Sequence, residues 1–166
     1  DFEKIGYVFR YVMEYIRFAS AELQEREKLY FQLLGDYQKI PEFYKKNMGS
    51  LHNSFNTYHF KRGNCEGIVN LMRFMLGILG IPTENVHCHD KRYTVSMGLN
   101  HALLRAKCGG RWLYYDATYD RKNWRDFFGK TYEEISQYVD LSVFEQKIRE
   151  EENYGFGQYH GATVGK

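Results

Sequence analysis

The residues of this sequence that could perform chemistry together are Cys65, His101 and Asp116, which follow one another at intervals of 36 and 15 residues. Cys65 follows a Gly-Asn pair and opens an apolar run, so it is predicted to lie at the start of a buried helix. Unpaired N–H groups and the helix dipole favour a negative group there, and a thiolate is the nucleophilic form of cysteine. A histidine that takes the thiol proton would complete the activation.

A predicted hairpin brings the histidine and the aspartate together. The Gly-Gly pair at 109–110 suits a two-residue turn, which pairs Leu103 with Asp116 and His101 with Thr118. Asp116 is then a diagonal neighbour of His101 on one face of the hairpin. A carboxylate in that position would orient the imidazole, as in a catalytic triad. The alternative is an aspartate that only caps backbone groups at a strand end.

Helices are predicted around this cysteine. An apolar stripe at helical spacing predicts a first helix. Its members are Ile5, Val8, Phe9, Val12, Ile16 and Ala19. A second helix is predicted over 21–34, before Gly35, and the cysteine-bearing helix over 65–79. The last is apolar nearly all round and therefore buried. The polar segment 48–63 is predicted as a loop or short turns.

The second half of the chain is predicted to supply a small antiparallel sheet and further helices. The predicted strands are 85–89, 101–107 and 112–118, and the predicted helices are 132–138 and 143–152. The fold class is therefore α+β, with the central helix packed on the sheet. We expect a single domain, 1–166. Its parts are N-terminal helices (1–50), a catalytic core (54–120), and C-terminal helices with a tail (121–166).

Composition excludes several functional classes. Of 166 residues, 43% are hydrophobic and 27% charged, and the net charge of +2 predicts no nucleic-acid or anionic-membrane partner. Lys61-Arg62 and Arg121-Lys122 are too small for a nucleic-acid footprint and are interpreted as solvated rims. No apolar run reaches the ~18 residues of a membrane span.

The other two cysteines have possible roles in a metal site or a disulfide. His87-Cys88-His89-Asp90 contains zinc-type ligands, but strand alternation sends Cys88 to the face opposite its two neighbours. We therefore expect no metal site and no cofactor. A Cys88–Cys108 disulfide is the pairing to consider, although the predicted register does not set these two residues opposite each other.

Two segments resemble the core of the transglutaminase-like superfamily: GNCEGIVNLMRFMLGILGIP and NHALLRAKCGGRWLYYDATYD. The resemblance covers about 54–119 and, more loosely, the helix at 7–18. It implies a papain-like α+β fold with Cys65 as nucleophile, His101 as general base and acid, and Asp116 as the group that orients His101. The sequence departs from the family pattern at Leu103, where tryptophan is common, and at Ala117, where proline is common.

The resemblance and the residues together predict cysteine-dependent acyl transfer on peptide or protein amides through a thioester. Hydrolysis is favoured over cross-linking, and a non-catalytic relative that binds a peptide or protein is the alternative. The backbone N–H of Cys65 is one candidate oxyanion donor. Tyr58, Asn56 and His59 are the side-chain candidates, with Tyr58 slightly favoured.

The chain opens on Asp1 and shows no signal peptide. With the resemblance to small bacterial family members, this leads us to expect a secreted or cell-envelope bacterial protein, with a cytoplasmic location as the alternative. The sequence makes no prediction of the oligomeric state.

Overall fold

The computed structural model describes residues 1–33, 51–91, 100–118 and 124–158. In these residues it has six α-helices: α1 (Phe2–Tyr15), α2 (Ala21–Leu33), α3 (Ser54–Phe60), α4 (Cys65–Ile78), α5 (Tyr132–Ile135) and α6 (Ser142–Gln158). The strands are β1 (Arg17–Phe18), β2 (Arg62–Gly63), β3 (Thr83–Asp90), β4 (His101–Cys108), β5 (Arg111–Tyr115), β6 (Phe128–Lys130) and β7 (Val139–Asp140). A 3-10 helix over Trp124–Phe127 precedes β6.

Five strands form an antiparallel sheet in the order β6-β5-β4-β3-β7, with β4 at its centre. A separate pair, β1 and β2, is parallel. The β4–β5 hairpin has the predicted register, with Lys107 opposite Trp112. Gly109 and Gly110 have φ of 57° and 83°, a left-handed conformation that glycine adopts without steric cost.

The predicted register holds only as far as Leu104 and Tyr115, where the ladder ends. The expected ladder pairs Leu103–Asp116 and His101–Thr118 are therefore wrong. The chain leaves β5 after Tyr115, and the N–H of Asp116 instead bonds to the carbonyl of Phe127 at 2.9 Å.

Both faces of the sheet are covered, because residues alternate between two buried clusters. The first joins α1 and α4 to one face of the sheet. It includes Ile5, Phe9, Ile68, Met72, Leu76, Ala102, Leu104 and Tyr115. The second joins α5 and the start of α6 to the other face. It includes Val86, Cys88, Leu103, Tyr114, Ile135, Leu141 and Phe144. A helical layer on each side of a small antiparallel sheet is an α+β architecture, as predicted.

The prediction of a loop over 48–63 is wrong for α3. Asn53 caps this helix by accepting the N–H groups of Phe55 and Asn56. Thr57 in α3 is fully buried, and it lies so close to Gly63 that a Cβ there would be 2.6 Å from the threonine Oγ1. The Asn53 cap and the close contact between Thr57 and Gly63 therefore stabilise a helix whose sequence shows no apolar periodicity.

Other differences lie at element ends. β5 ends three residues before its predicted end, α5 stops at Ile135 rather than 138, and α6 runs six residues beyond its predicted end at 152. The strands β1, β2, β6 and β7 have two or three residues each and were not predicted. Gly35, with the rest of 34–50, and the tail from 159 lie outside the described residues.

None of the helices, over the part of the chain described, has the length and apolar character needed to cross a membrane.

Candidate functional site

Cys65 is the first residue of α4, and Asn64 caps that helix. The Asn64 side chain accepts the N–H of Gly67 at 2.9 Å, which satisfies one of the unpaired donors at the helix start. The thiol is half-buried. As the first helical residue, Cys65 also has a backbone N–H without an acceptor within the helix.

His101 begins β4, and its Nε2 lies 2.6 Å from Asp116 Oδ2. Both side chains are buried: His101 is 9% exposed and Asp116 is 2% exposed. The second carboxylate oxygen of Asp116 accepts the backbone N–H of Thr118 at 2.9 Å and its hydroxyl at 2.8 Å. Asp116 is thereby held in one orientation, with one oxygen directed at the imidazole.

The Cys65 thiol also lies near enough to the His101 ring to affect its pKa. Because Nε2 faces Asp116, Nδ1 is the ring nitrogen left for the sulfur. Burial alone would lower the pKa of His101. The charge of Asp116, the hydrogen bond with Asp116 and the nearby Cys65 outweigh burial and raise that pKa to about 10. The ring is therefore held as imidazolium between a sulfur and a carboxylate.

A second polar network surrounds the first turn of α4. The buried carboxylate of Glu27 in α2 accepts the backbone N–H of Leu51 at 2.6 Å. The His52 ring lies 2.7 Å from Glu66 and 3.5 Å from Glu27, and Asn64 Nδ2 lies 3.0 Å from the same ring. This network ties α2 and the segment before α3 to the residues on either side of Cys65.

Tyr58, the favoured oxyanion donor, is half-exposed, and Lys61 Nζ lies 3.7 Å from its ring centroid. Tyr58 also lines an apolar pocket of about 300 Å³ with Leu71 and Met75. These two residues lie roughly 9 and 15 Å along the axis of α4 from Cys65, at 1.5 Å per residue. The described contacts of Tyr58 thus lie toward the middle of α4 rather than at the thiol.

The other two side-chain candidates lie on the same short helix. His59 is exposed and stacks on Phe55 with ring centroids 6.0 Å apart. Asn56 is half-buried, and its backbone N–H bonds to Asn53. The described contacts give no preference for Tyr58 over Asn56, so the identity of the side-chain donor stays a prediction.

Cys88 lies directly opposite His101 in the β3–β4 ladder and is fully buried. Burial, followed by the proximity of Asp116 and Cys65, raises the pKa of the Cys88 thiol. This thiol is therefore held in the protonated form, which is a poor nucleophile.

All three cysteines are free, so the Cys88–Cys108 disulfide is not formed. Cys88 lies opposite His101, the first residue of β4, whereas Cys108 is the last residue of β4. A strand of this length separates the two thiols by roughly 23 Å, at about 3.3 Å per residue.

The cluster at 87–90 also has the predicted alternation, with Cys88 buried and His87 exposed. Within the described ranges, no three His, Cys, Asp or Glu side chains are grouped so that they could hold a metal ion.

The predictions from the sequence did not include several residues of the site. The Asp-x-Thr spacing is a local signal for the turn in which Thr118 holds Asp116, and Asn64 before a helix is a recognisable cap. Glu27 and His52 have no comparable signal, because their approach to α4 depends on how separate segments pack.

Comparison with known proteins gives a family match and a similar fold. The transglutaminase-like superfamily model matches residues 1–117. A proposed cysteine protease from Cytophaga hutchinsonii has a TM-score of 0.51 and 16% sequence identity, and the match covers 85% of this chain and 35% of that chain. A TGase structure has a TM-score of 0.48 and 17% identity, over 71% of this chain and 26% of that chain.

This chain thus spans about a third or less of those two solved chains. No curated protein matches it.

Proposed function

Because the chain belongs to the transglutaminase-like superfamily, we propose that it catalyses cysteine-dependent acyl transfer on peptide or protein amides. The observation that carries the proposal is the position of the His101 ring, 2.6 Å from Asp116 and near enough to the Cys65 thiol for that thiol to raise the pKa of the ring. A ring between these two groups can hold the proton given up by sulfur, as imidazolium beside thiolate, and later give it to a leaving amine.

In the proposed reaction, the Cys65 sulfur attacks the amide carbonyl carbon, and the carbonyl oxygen becomes an oxyanion. The Cys65 backbone N–H and one side-chain donor would stabilise that oxygen. The His101 imidazolium protonates the amide nitrogen, the C–N bond breaks, and a thioester remains on Cys65. Asp116 keeps the ring oriented and stabilises its positive charge through both proton transfers.

Water is the proposed acceptor of the acyl group. His101, now neutral, removes a proton from water as it attacks the thioester, and the Cys65 sulfur leaves as thiolate. This choice makes the reaction a hydrolysis, the activity class proposed for the Cytophaga hutchinsonii protein that shares the fold. An amine in place of water would give cross-linking by the same steps.

Alkylation by iodoacetamide near neutral pH, followed residue by residue with mass spectrometry, tests the nucleophile. We expect Cys65 to react first, because it is half-buried beside His101, and Cys88 to be protected by burial. His101→Gln should slow the modification of Cys65 by about tenfold or more, because the partner that holds its proton is removed. Faster reaction of Cys88 or Cys108 in the folded protein would overturn the assignment.

A peptide library, incubated with and without a small primary amine, separates the reaction classes. Cleavage or side-chain deamidation that disappears in Cys65→Ala supports hydrolysis, and incorporation of the amine supports cross-linking. Peptide binding by both proteins without any product would instead identify a non-catalytic binding domain.

A further inference from the structure

A charged groove lies beside the candidate site, on the surface formed by β1, β2 and the end of α1. It has a volume of about 620 Å³, and its walls include aromatic rings from Tyr15, Phe18 and Phe60. The ionisable side chains that line it are Glu14, Arg17, Lys61 and Arg62. Three cationic side chains and one carboxylate therefore line this groove.

The two arginines are placed directly opposite each other. β1 and β2 pair in parallel with Arg17 beside Arg62, and neighbouring residues in a ladder point to the same face. Like charges in such positions repel and destabilise the pair. In the described part of the chain, no carboxylate forms an ion pair with either arginine. Within the described residues neither arginine has an ion-pair partner, so an anion bound from outside would relieve this repulsion.

Lys61 is fixed at one side of this groove by neighbouring aromatic residues. Its Nζ lies 3.0 Å from Tyr11 Oη and 3.7 Å from the centroid of the Tyr58 ring. The two arginines, in contrast, lie across the β1–β2 pair, where Arg17 is exposed and Arg62 half-buried. They are the charges best placed to meet a ligand that enters the groove.

The groove is close to the thiol along the chain. Arg62 precedes Cys65 by three residues, so their Cα atoms are at most about 11 Å apart. An extended peptide advances roughly 3.3 Å per residue. A side chain two to four residues from an amide held at Cys65 would therefore reach the arginine pair.

We propose that this groove is a subsite for acidic side chains of a peptide or protein, recognised by Arg17 and Arg62. This assignment as a substrate subsite rests on the proposed acyl-transfer function. It predicts that the preferred substrates are amides that lie near Asp or Glu residues. Arginine suits this role because its planar guanidinium binds carboxylates in a bidentate manner, and the aromatic walls accept the apolar parts of an extended chain.

Fluorescence polarisation tests the subsite separately from the chemistry, with Cys65→Ala as the binding protein. Two labelled peptides of equal length are compared, which differ only in having Glu or Gln at alternate positions. We expect the Glu peptide to bind roughly five- to tenfold more tightly at low salt, because two surface charge pairs add to its affinity. Raising NaCl from about 0.05 M to about 0.5 M should reduce that preference.

Charge reversal locates the binding site. Arg17→Glu with Arg62→Glu should abolish the preference for the Glu peptide, and Arg17→Gln with Arg62→Gln should reduce it. The matched control is Lys107→Glu with Arg111→Glu, two exposed cations at the hairpin end of the sheet. This control should keep the preference. Circular dichroism verifies that each variant is folded, and the neutral pair provides the test if the reversed pair is not.

Equal binding of the two peptides, or a preference that survives in both arginine variants, would overturn the subsite. So would a labelled single-stranded oligonucleotide that binds more tightly than the Glu peptide and loses its affinity in the same variants. The absence of any Cys65-dependent product overturns the enzymatic proposal alone, because the affinities measured with Cys65→Ala do not depend on chemistry.

Discussion

Asp116 has both carboxylate oxygens occupied, one by His101 and the other by the N–H and hydroxyl of Thr118. Such a carboxylate has little freedom to rotate, so its charge acts on the imidazole at a fixed distance of 2.6 Å. At the residue scale, the site is therefore a buried charge pair with the Cys65 sulfur at its accessible end. This charge pair should therefore affect the free energy of unfolding of the protein as well as the reactivity of Cys65.

The pH dependence of stability tests this pair. The folded-state pKa of His101 is raised to about 10 by the charge and hydrogen bond of Asp116 against the effect of burial. This value lies above the ordinary pKa of about 6.5. The stabilisation is thus complete below about 6.5 and is lost as the pH rises toward 10. Asp116→Asn should lower the free energy of unfolding by about 3 kcal/mol near pH 6 and by roughly half that or less near pH 10.

Urea unfolding at several pH values measures this difference. The exposed Asp126→Asn serves as the control and should change the free energy of unfolding by less than about 0.5 kcal/mol throughout. A difference between wild type and Asp116→Asn that grows with pH would contradict the assignment of a charged His101.

At the scale of elements, the first turn of α4 is packed closely against the segment before α3. A Cβ on Gly67 would lie 1.9 Å from the carbonyl oxygen of Leu51 and 2.6 Å from Thr57 Oγ1. Only a glycine allows the segment before α3 to approach this turn so closely. The same approach places His52 beside Glu66, which follows Cys65.

Two glycines of the same helix make a matched test of this packing. Gly67→Ala should lower the free energy of unfolding by at least about 2 kcal/mol and slow the alkylation of Cys65, because the backbone at Leu51 must move. A Cβ on Gly77 would meet no atom within 4 Å, so Gly77→Ala should stabilise α4 by about 0.5–1 kcal/mol. Equal effects of the two substitutions would refute the packing argument.

At the scale of the whole molecule, β4 is the element on which the architecture depends. It pairs with β3 on one side and β5 on the other, and its residues alternate between the two buried clusters. Leu103 and Leu104 are both fully buried, although they face opposite layers. His101, at the start of β4, is therefore positioned by the most enclosed strand of the sheet.

Amide hydrogen exchange should reflect this arrangement. We expect the slowest exchange in β4, because its amides are paired and covered on both faces, and faster exchange in the short edge strands β6 and β7. Mass spectrometry of peptic fragments after timed labelling gives the comparison. Equal protection of β4 and the edges would mean that the sheet does not unfold from its edges inward.

The sequence by itself determined the fold class, the helix that begins at Cys65 and the register of the β4–β5 hairpin. These features depend on local rules: an apolar run of helical length and two glycines that accept positive φ at a turn. The proximity of Asp116 to His101 followed from that register and agrees with the observed contact. Their catalytic roles, with that of Cys65, stay a prediction.

Tertiary structure alone decided the rest. The chain turns away at Asp116 because its N–H bonds to Phe127, so the contact with His101 comes from beyond the end of β5 and not from a ladder pair. The short strands β1, β2, β6 and β7 have too few residues to show a period. The Glu27–His52 contact and the opposed Arg17 and Arg62 join residues distant in sequence. Such contacts depend on how whole elements pack, which no local pattern encodes.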